Sequence, residues 1–298
     1  MHDSILTYAR SRYLWGSLLL ILLSVAAYLW HDPGGPPNGG TWLGYTLGTI
    51  SALLIVWLMF FGIRKRRYLQ NVGTLRGWLS AHIYLGTTLI LLVLLHAGFQ
   101  LGWNIHTFAF VLMLIVIFSG FFGLFAYMRY PGMMTRNRES ATRDAMLDEV
   151  AEIDQNALAL ADGIDPKIHA IVLRSIDKTK LGGGVWTQLR ARDGSDIALD
   201  SLHKTIADRE GKKESSTTEM PTMFAMVDFL AGRAQDKQGE AMRKLIDLIS
   251  RKKALATKVA RDIQFQAMME IWLYFHVPLS FALLAALIAH IVSSFFYW

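Results

Sequence analysis

Five apolar stretches constrain this chain more than any other feature: 13–30, 42–63, 78–101, 107–128 and 271–297. Each approaches or exceeds the ~20 residues that a helix needs to cross a bilayer core. No water reaches the peptide groups there, so the backbone must satisfy itself, and a helix does so within one segment. The expected class is an all-α membrane protein with five transmembrane helices. A long polar stretch separates the fourth run from the fifth. This divides the chain into 1–129 with four spans, 130–268 as a mainly helical insertion, and 269–298 with the fifth span.

Charge is segregated in the same way. Residues 1–129 hold eight Lys and Arg against two acids, Asp3 and Asp32, whereas 130–270 holds twenty-two of each. The net charge of +6 thus arises in the membrane half and is not a nucleic-acid footprint. The basic residues flank the spans on one side: Arg10 and Arg12, then Arg64 to Arg67 with Arg76, then Arg129. The loops 31–41 and 99–106 contain neither Lys nor Arg. The positive-inside rule therefore places the N-terminus, the 64–77 loop and 130–268 in the cytoplasm. It places Trp298 on the periplasmic or external face of an inner (cytoplasmic) membrane. The first run is long for a signal sequence, and no A-x-A site follows it, so it reads as a retained helix.

Within the insertion, residues 140–161 carry apolar side chains at helical intervals. Asp165-Pro166 opens a second helix through Ile176, with proline in the first turn. Residues 182–199 read as loop or short strand, and 211–218 as an exposed mobile stretch. From about Glu240 a helical pattern runs without a breaker into the fifth span.

Four histidines lie in the apolar runs, His82 and His96 in the third and His276 and His290 in the fifth. Such side chains are costly inside a membrane and mark functional sites. Each pair is separated by fourteen residues, nearly four helical turns, so both members share one face about 21 Å apart along the axis. Both spans run outward, which pairs His82 with His276 at the cytoplasmic level and His96 with His290 at the outer level. Antiparallel spans would instead pair His82 with His290 and His96 with His276. The chain has no cysteine, which removes disulfides, Cys-ligated iron–sulfur clusters and covalent haem attachment. Facing imidazoles are good axial ligands for haem iron, so the expected cofactors are two bis-histidine haems b.

A porphyrin between helices needs room and cations. Gly48 and Gly62 on the second span, again fourteen apart, offer room, as do Gly120 and Gly123 on the fourth. Arg64, Arg66, Arg67 and Arg76 are candidate propionate partners at the cytoplasmic level. The outer level offers only Trp103, Asn104 and His106. His31 and His106 otherwise read as ordinary interfacial residues, and His169 and His203 have no ligand-like neighbours in sequence. A zinc or iron transport site would need converging ligands, usually with carboxylates, and the third and fifth runs contain no Asp or Glu.

Two parallel helices with histidine pairs at a spacing of fourteen, and one helix between them, resemble the membrane di-haem cytochrome b superfamily. That superfamily includes respiratory cytochrome b and the membrane domains of ferric reductases and NADPH oxidases. The resemblance covers the membrane half and implies a di-haem four-helix bundle of spans two to five. The spaced glycines of the second span are similar to those of respiratory cytochrome b. The insertion between spans four and five departs from both families, and no FAD or NADPH module follows the fifth span. The implied function is a di-haem b-type cytochrome subunit carrying electrons across the lipid bilayer within a respiratory or redox complex. It would exchange electrons with a quinone, a c-type cytochrome or an iron–sulfur protein, as an electron-transfer subunit of an oxidoreductase. The alternative is a haem-based membrane sensor or assembly scaffold, which the long helix entering the fifth span favours.

Overall fold

The computed structural model describes residues 5–67, 74–139, 141–191, 193–211 and 237–296, without the side chains of 63–67, 205–211, 237 and 238. Its regular structure is helical, with no strand among the described residues. In chain order the helices are α1 (Tyr8–Trp30), α2 (Trp42–Arg67), α3 (Leu75–His96), α4 (Ile105–Arg138), α5 (Arg143–Asp162), α6 (Pro166–Lys178), α7 (Val185–Leu189), α8 (Ser195–Gly211) and α9 (Lys237–Phe296). Five are long and apolar enough to cross a membrane: α1, α2, α3, α4 and the Gly239–Phe296 part of α9. The chain forms two compact units, one of Met1–Phe125 with Trp272–Trp298, the other of Ala126–Ile271. The helices α4 and α9 each contribute residues to both.

In the first unit, many large apolar side chains face outward, and small residues share the buried face with leucines. Trp15, Leu22, Leu53, Phe60, Phe118, Phe281 and Phe295 are exposed, whereas Ser17, Ser24, Ser80, Ala81 and Thr88 are buried. That distribution suits lipid, where the surround is as apolar as leucine and small residues let helices approach. The helix α3 packs against both α1 and α2. Its buried face carries Gly77, Ser80, Ala81, Thr88, Leu89, Leu92 and Leu95. Ile55 and Leu58 of α2, Leu89 of α3, Met113 of α4 and Leu283 of α9 form a shared cluster, so these four helices meet in one core.

Two boundaries differ from the sequence reading. The third span ends at His96 rather than at 101. The chain turns at Gly98 and Phe99, with φ of 60° and 59°, and a Cβ on Gly98 would lie 2.0 Å from the Pro37 carbonyl oxygen. The close approach of the 37–38 backbone therefore needs glycine there and leaves His96 in the last helical turn. Residues 182–199 are not strand or plain loop. They contain α7 and the start of α8. Gly183, at φ 107°, makes the turn before α7. Asp193 accepts hydrogen bonds from the Ser195 backbone and hydroxyl just before α8 continues. The apolar period of α8, Ala198 and Leu202, runs beyond 199, so the helix is invisible within that window. The 211–218 stretch lies outside the described residues from 212 onward.

The second unit has an ordinary aqueous-type core. Ala157 and Ala161 of α5, Ile168 and Val172 of α6, Ala198 and Leu202 of α8, and Met242, Leu245 and Ile249 of α9 pack together. Side chains cap two of these helices: Thr142 accepts from Ala145 N at 3.1 Å, and Asp165 accepts from Lys167 N at 2.8 Å ahead of Pro166. Two ionic groups are buried. Asp262 is fully buried and accepts from Arg138 Nε at 2.7 Å and Arg143 Nε at 2.9 Å. Lys252, 2% exposed, lies 2.6 Å from Asp154. Burial pushes the Asp154 carboxyl above its usual range, against the pull of Lys252.

A buried ion pair costs most when one partner is removed. Lys252→Ala or Asp154→Ala alone should destabilise the chain by roughly 3–5 kcal/mol. The joint change Lys252→Met with Asp154→Leu should lie within about 1 kcal/mol of the native chain. Urea titration of the detergent-solubilised protein measures both, and equal losses in single and double variants would contradict a desolvated pair.

Candidate functional site

The rings of His96 on α3 and His290 on α9 are 6.0 Å apart between centroids, inclined at 82°, as parallel spans would place them. His82 and His276 are the other members of the two spans' histidine pairs. Each level is completed by groups from other helices.

His96 sits in the last turn of α3. Its Nδ1 is 2.7 Å from the carbonyl oxygen of Gly44. A carbonyl only accepts, so Nδ1–H donates and Nε2 keeps a bare lone pair. Gly44 belongs to the first turn of α2, where its N–H donates to Thr41 Oγ1 at 3.0 Å. One turn further on, a Cβ at Gly48 would lie 2.7 Å from His96 Cε1 and 2.8 Å from Nδ1. The imidazole therefore rests on the bare backbone of α2.

His276 is held in a matching way by α4. Its Nδ1 is 2.7 Å from Ser119 Oγ, and that hydroxyl donates to the Val116 carbonyl at 2.8 Å. A hydroxyl has one proton, so Ser119 accepts from His276 Nδ1–H, and Nε2 is again bare. Trp272 Nε1 donates to the Ser119 carbonyl at 2.7 Å, and its ring lies 5.1 Å from that of His276. Gly123 makes room for this indole: a Cβ there would stand 2.0 Å from Trp272 Cζ2.

His290 places its Nδ1 2.6 Å from Nδ1 of His106, with the two rings perpendicular and 4.5 Å apart. His106 lies in the first turn of α4, where Asn104 accepts from Thr107 N at 3.0 Å. His106 is exposed, as an interfacial residue would be, and its contact with His290 adds a role to that reading. His82 is held more loosely than the others. Its ring lies 5.2 Å from Phe61, and its hydrogen-bonding neighbour is the Leu58 backbone of α2, in a poorer geometry than that of Gly44 on His96.

The other sequence candidates fall in varied places. Gly120 is in ordinary contact with His276 Cε1, at 3.7 Å from a built Cβ, and Gly62 faces open space. Arg76 is exposed in the first turn of α3, and the Arg67 side chain lies outside the described residues. Ser119, Trp272 and the Gly44 carbonyl were not foreseen. Trp272 had a signal, because it precedes His276 by four residues and so shares its helix face.

Two imidazoles that bind one ion from opposite sides, with metal–nitrogen bonds of ~2 Å, stand about 6 Å apart between ring centres. The His96–His290 separation has that length. Imidazoles held through Nδ1, with Gly48 clearing space beside His96, are a donor set that fits haem iron. Among the described residues, no group of three His, Asp or Glu side chains is arranged to hold an ion. No protein-family model, curated protein or solved structure matches the chain.

The packing of His96 on Gly48 yields a signed expectation. Gly48→Ala should overpack the site and cost roughly 1–3 kcal/mol. Gly16→Ala, in helix α1 with nothing within 4 Å of the new Cβ, should be neutral or stabilising by up to ~1 kcal/mol. Thermal unfolding midpoints in detergent separate the two, and equal midpoints would contradict the packing.

Proposed function

We propose that this chain is a di-haem b-type cytochrome subunit that carries electrons across a membrane within a larger redox complex. The observation that carries the reading is the state of the histidines. The rings of His96 and His290 converge from two spans, and those of His96 and His276 are each held through Nδ1, which leaves Nε2 available. A structural histidine in an apolar helix needs one hydrogen bond, and these have it. What the reading adds is a use for the second nitrogen.

Under this reading His96 and His290 hold one haem, and His82 and His276 hold the other. Each haem supplies reversible one-electron chemistry at its iron. The chain's own residues orient the ligands. Gly44 and Ser119 anchor the rings through Nδ1, Gly48 admits the His96 ring, and Phe61 and Trp272 exclude water beside the second pair. Arg76 and the 64–67 run are candidate partners for propionates. The charge distribution puts the His82–His276 level toward the cytoplasm and the N-terminus on that side. Electrons would enter and leave through a quinone, a c-type cytochrome or an iron–sulfur partner. A haem-based sensor or assembly scaffold is the second reading. It is favoured by one observation, that α9 is a single helix of 60 residues carrying both His276 and His290.

A reduced-minus-oxidised spectrum of the purified chain tests the reading. A b-type α-band is expected, and its absence would sink the proposal. His82→Ala and His96→Ala should each remove about half of that band, from different centres. Reduction of the haem by a quinol analogue separates carrier from sensor.

A further inference from the structure

The helix α4 supplies an Nδ1 partner to each histidine of α9. Ser119 serves His276, and His106 serves His290. The two partners are thirteen residues apart on α4, and the two histidines fourteen apart on α9. This near-match, with α4 running opposite to this part of α9, lets one helix serve both levels.

The His106–His290 contact leaves a choice of proton position that the other contacts do not. At 2.6 Å two nitrogens share one proton, and one must be the acceptor. If His106 donated, His290 would carry its own proton on Nε2 and could not bind a metal through it. If His290 donates, its Nε2 is bare, as at His96 and His276. The perpendicular rings give an edge-on hydrogen bond rather than a stack. The nearby hydroxyl of Ser294 is engaged elsewhere, donating to the His290 carbonyl at 2.9 Å. His106 is held by the start of a helix rather than by a free loop, because Asn104 caps that turn.

We infer that His106 is a positioning residue for the His96–His290 site: its Nδ1 accepts from Nδ1–H of His290, fixing the tautomer in which His290 Nε2 is free to bind metal. The inference rests on the cytochrome reading for its purpose, though not for its geometry. His106 itself is not a ligand. Its role is that of the outer partner that orients a metal-binding imidazole and sets its basicity.

The test is the histidine side-chain proton–nitrogen NMR spectrum of the full-length chain, labelled on histidine and kept reduced, with a redox titration beside it. In the native chain His290 should be protonated at Nδ1, with scalar coupling across the hydrogen bond to His106. His106→Ala should abolish that coupling and speed exchange of the His290 Nδ1–H with solvent. His106→Asn offers a carbonyl acceptor and should restore slow exchange. The midpoint potential of the His96–His290 haem should shift in His106→Ala and return toward native in His106→Asn, while the other haem stays unchanged. A native His290 protonated at Nε2, or absent coupling, overturns the inference, and this needs no variant to fold. Unchanged potentials in a haem-loaded His106→Ala chain overturn it too, leaving the cytochrome reading intact. A chain without haem ends the cytochrome reading, and the coupling and tautomer still decide the His106 inference.

Discussion

The first unit depends on one constraint, that no polar atom goes unpaired in apolar surroundings without a large cost. Helices meet it for the backbone. For the imidazoles it must be met one nitrogen at a time, and three different acceptors do so: a carbonyl at Gly44, a hydroxyl at Ser119 and a second imidazole at His106. Each acceptor requires something of the sequence around it. Gly44 must lie in a capped first turn, and Gly48 must lack a side chain so that His96 can reach it. Ser119 can accept only because its own proton is committed to Val116. The glycines, caps and hydroxyls of these helices thus follow from where the four rings must be.

The two units solve the burial problem with opposite residues. The first exposes much Leu, Phe and Trp and buries Ser, Ala and Thr among its core leucines, as lipid-facing helices do. The second buries Ile, Leu, Val and Ala, and meets solvent with charge. It also accepts two buried ionic groups, Asp262 between two arginines and Lys252 beside Asp154. Water surrounds the partially exposed guanidinium groups of Arg138 and Arg143, which lowers the cost of keeping Asp262 charged. No such relief is available in the first unit, and no Asp or Glu occurs in the third or fifth span.

Much of this arrangement was legible in the residues. The five apolar runs anticipated the five long helices, because length and polarity alone decide whether a segment can cross a bilayer. The spacing of fourteen put each histidine pair on one face, and the contact of His96 with His290 is the one that parallel spans call for. Asp165 with Pro166 announced its helix, whereas the Thr142 cap was not read from the sequence. What was not legible depends on rotation of helices about their axes. Ser119 and His106 are one serine and one histidine in a long apolar helix, and only its orientation toward α9 gives them partners. The end of α3 was missed for another reason. The residues after His96 remain apolar, so hydropathy carried the span to 101, whereas the Pro37 backbone packed on Gly98 ends it at 96. The start of α8 was missed because its buried residues lie beyond the glycine-rich stretch that drew the eye.

The unequal Nδ1 partners have a consequence for the proposed electron path. An acceptor on Nδ1–H raises the electron density of the ring, and a stronger acceptor makes Nε2 a better donor to iron. On the proposed reading, the His96–His290 haem has both ligands so supported, by a carbonyl and an imidazole. The His82–His276 haem would have one ligand supported through Ser119 and one whose neighbour is the Leu58 backbone, in a looser geometry. More donation stabilises the oxidised metal, so the better-supported site should have the lower potential of the two, other terms being equal. Axial support, burial and nearby cations all act on potential, and the arginines flank only one level. Arg76 opens α3 six residues before His82, where its positive charge would favour a reduced centre. On the proposed reading, ligand support and cation placement would therefore bias the two sites in the same direction, toward electrons residing at the His82–His276 level.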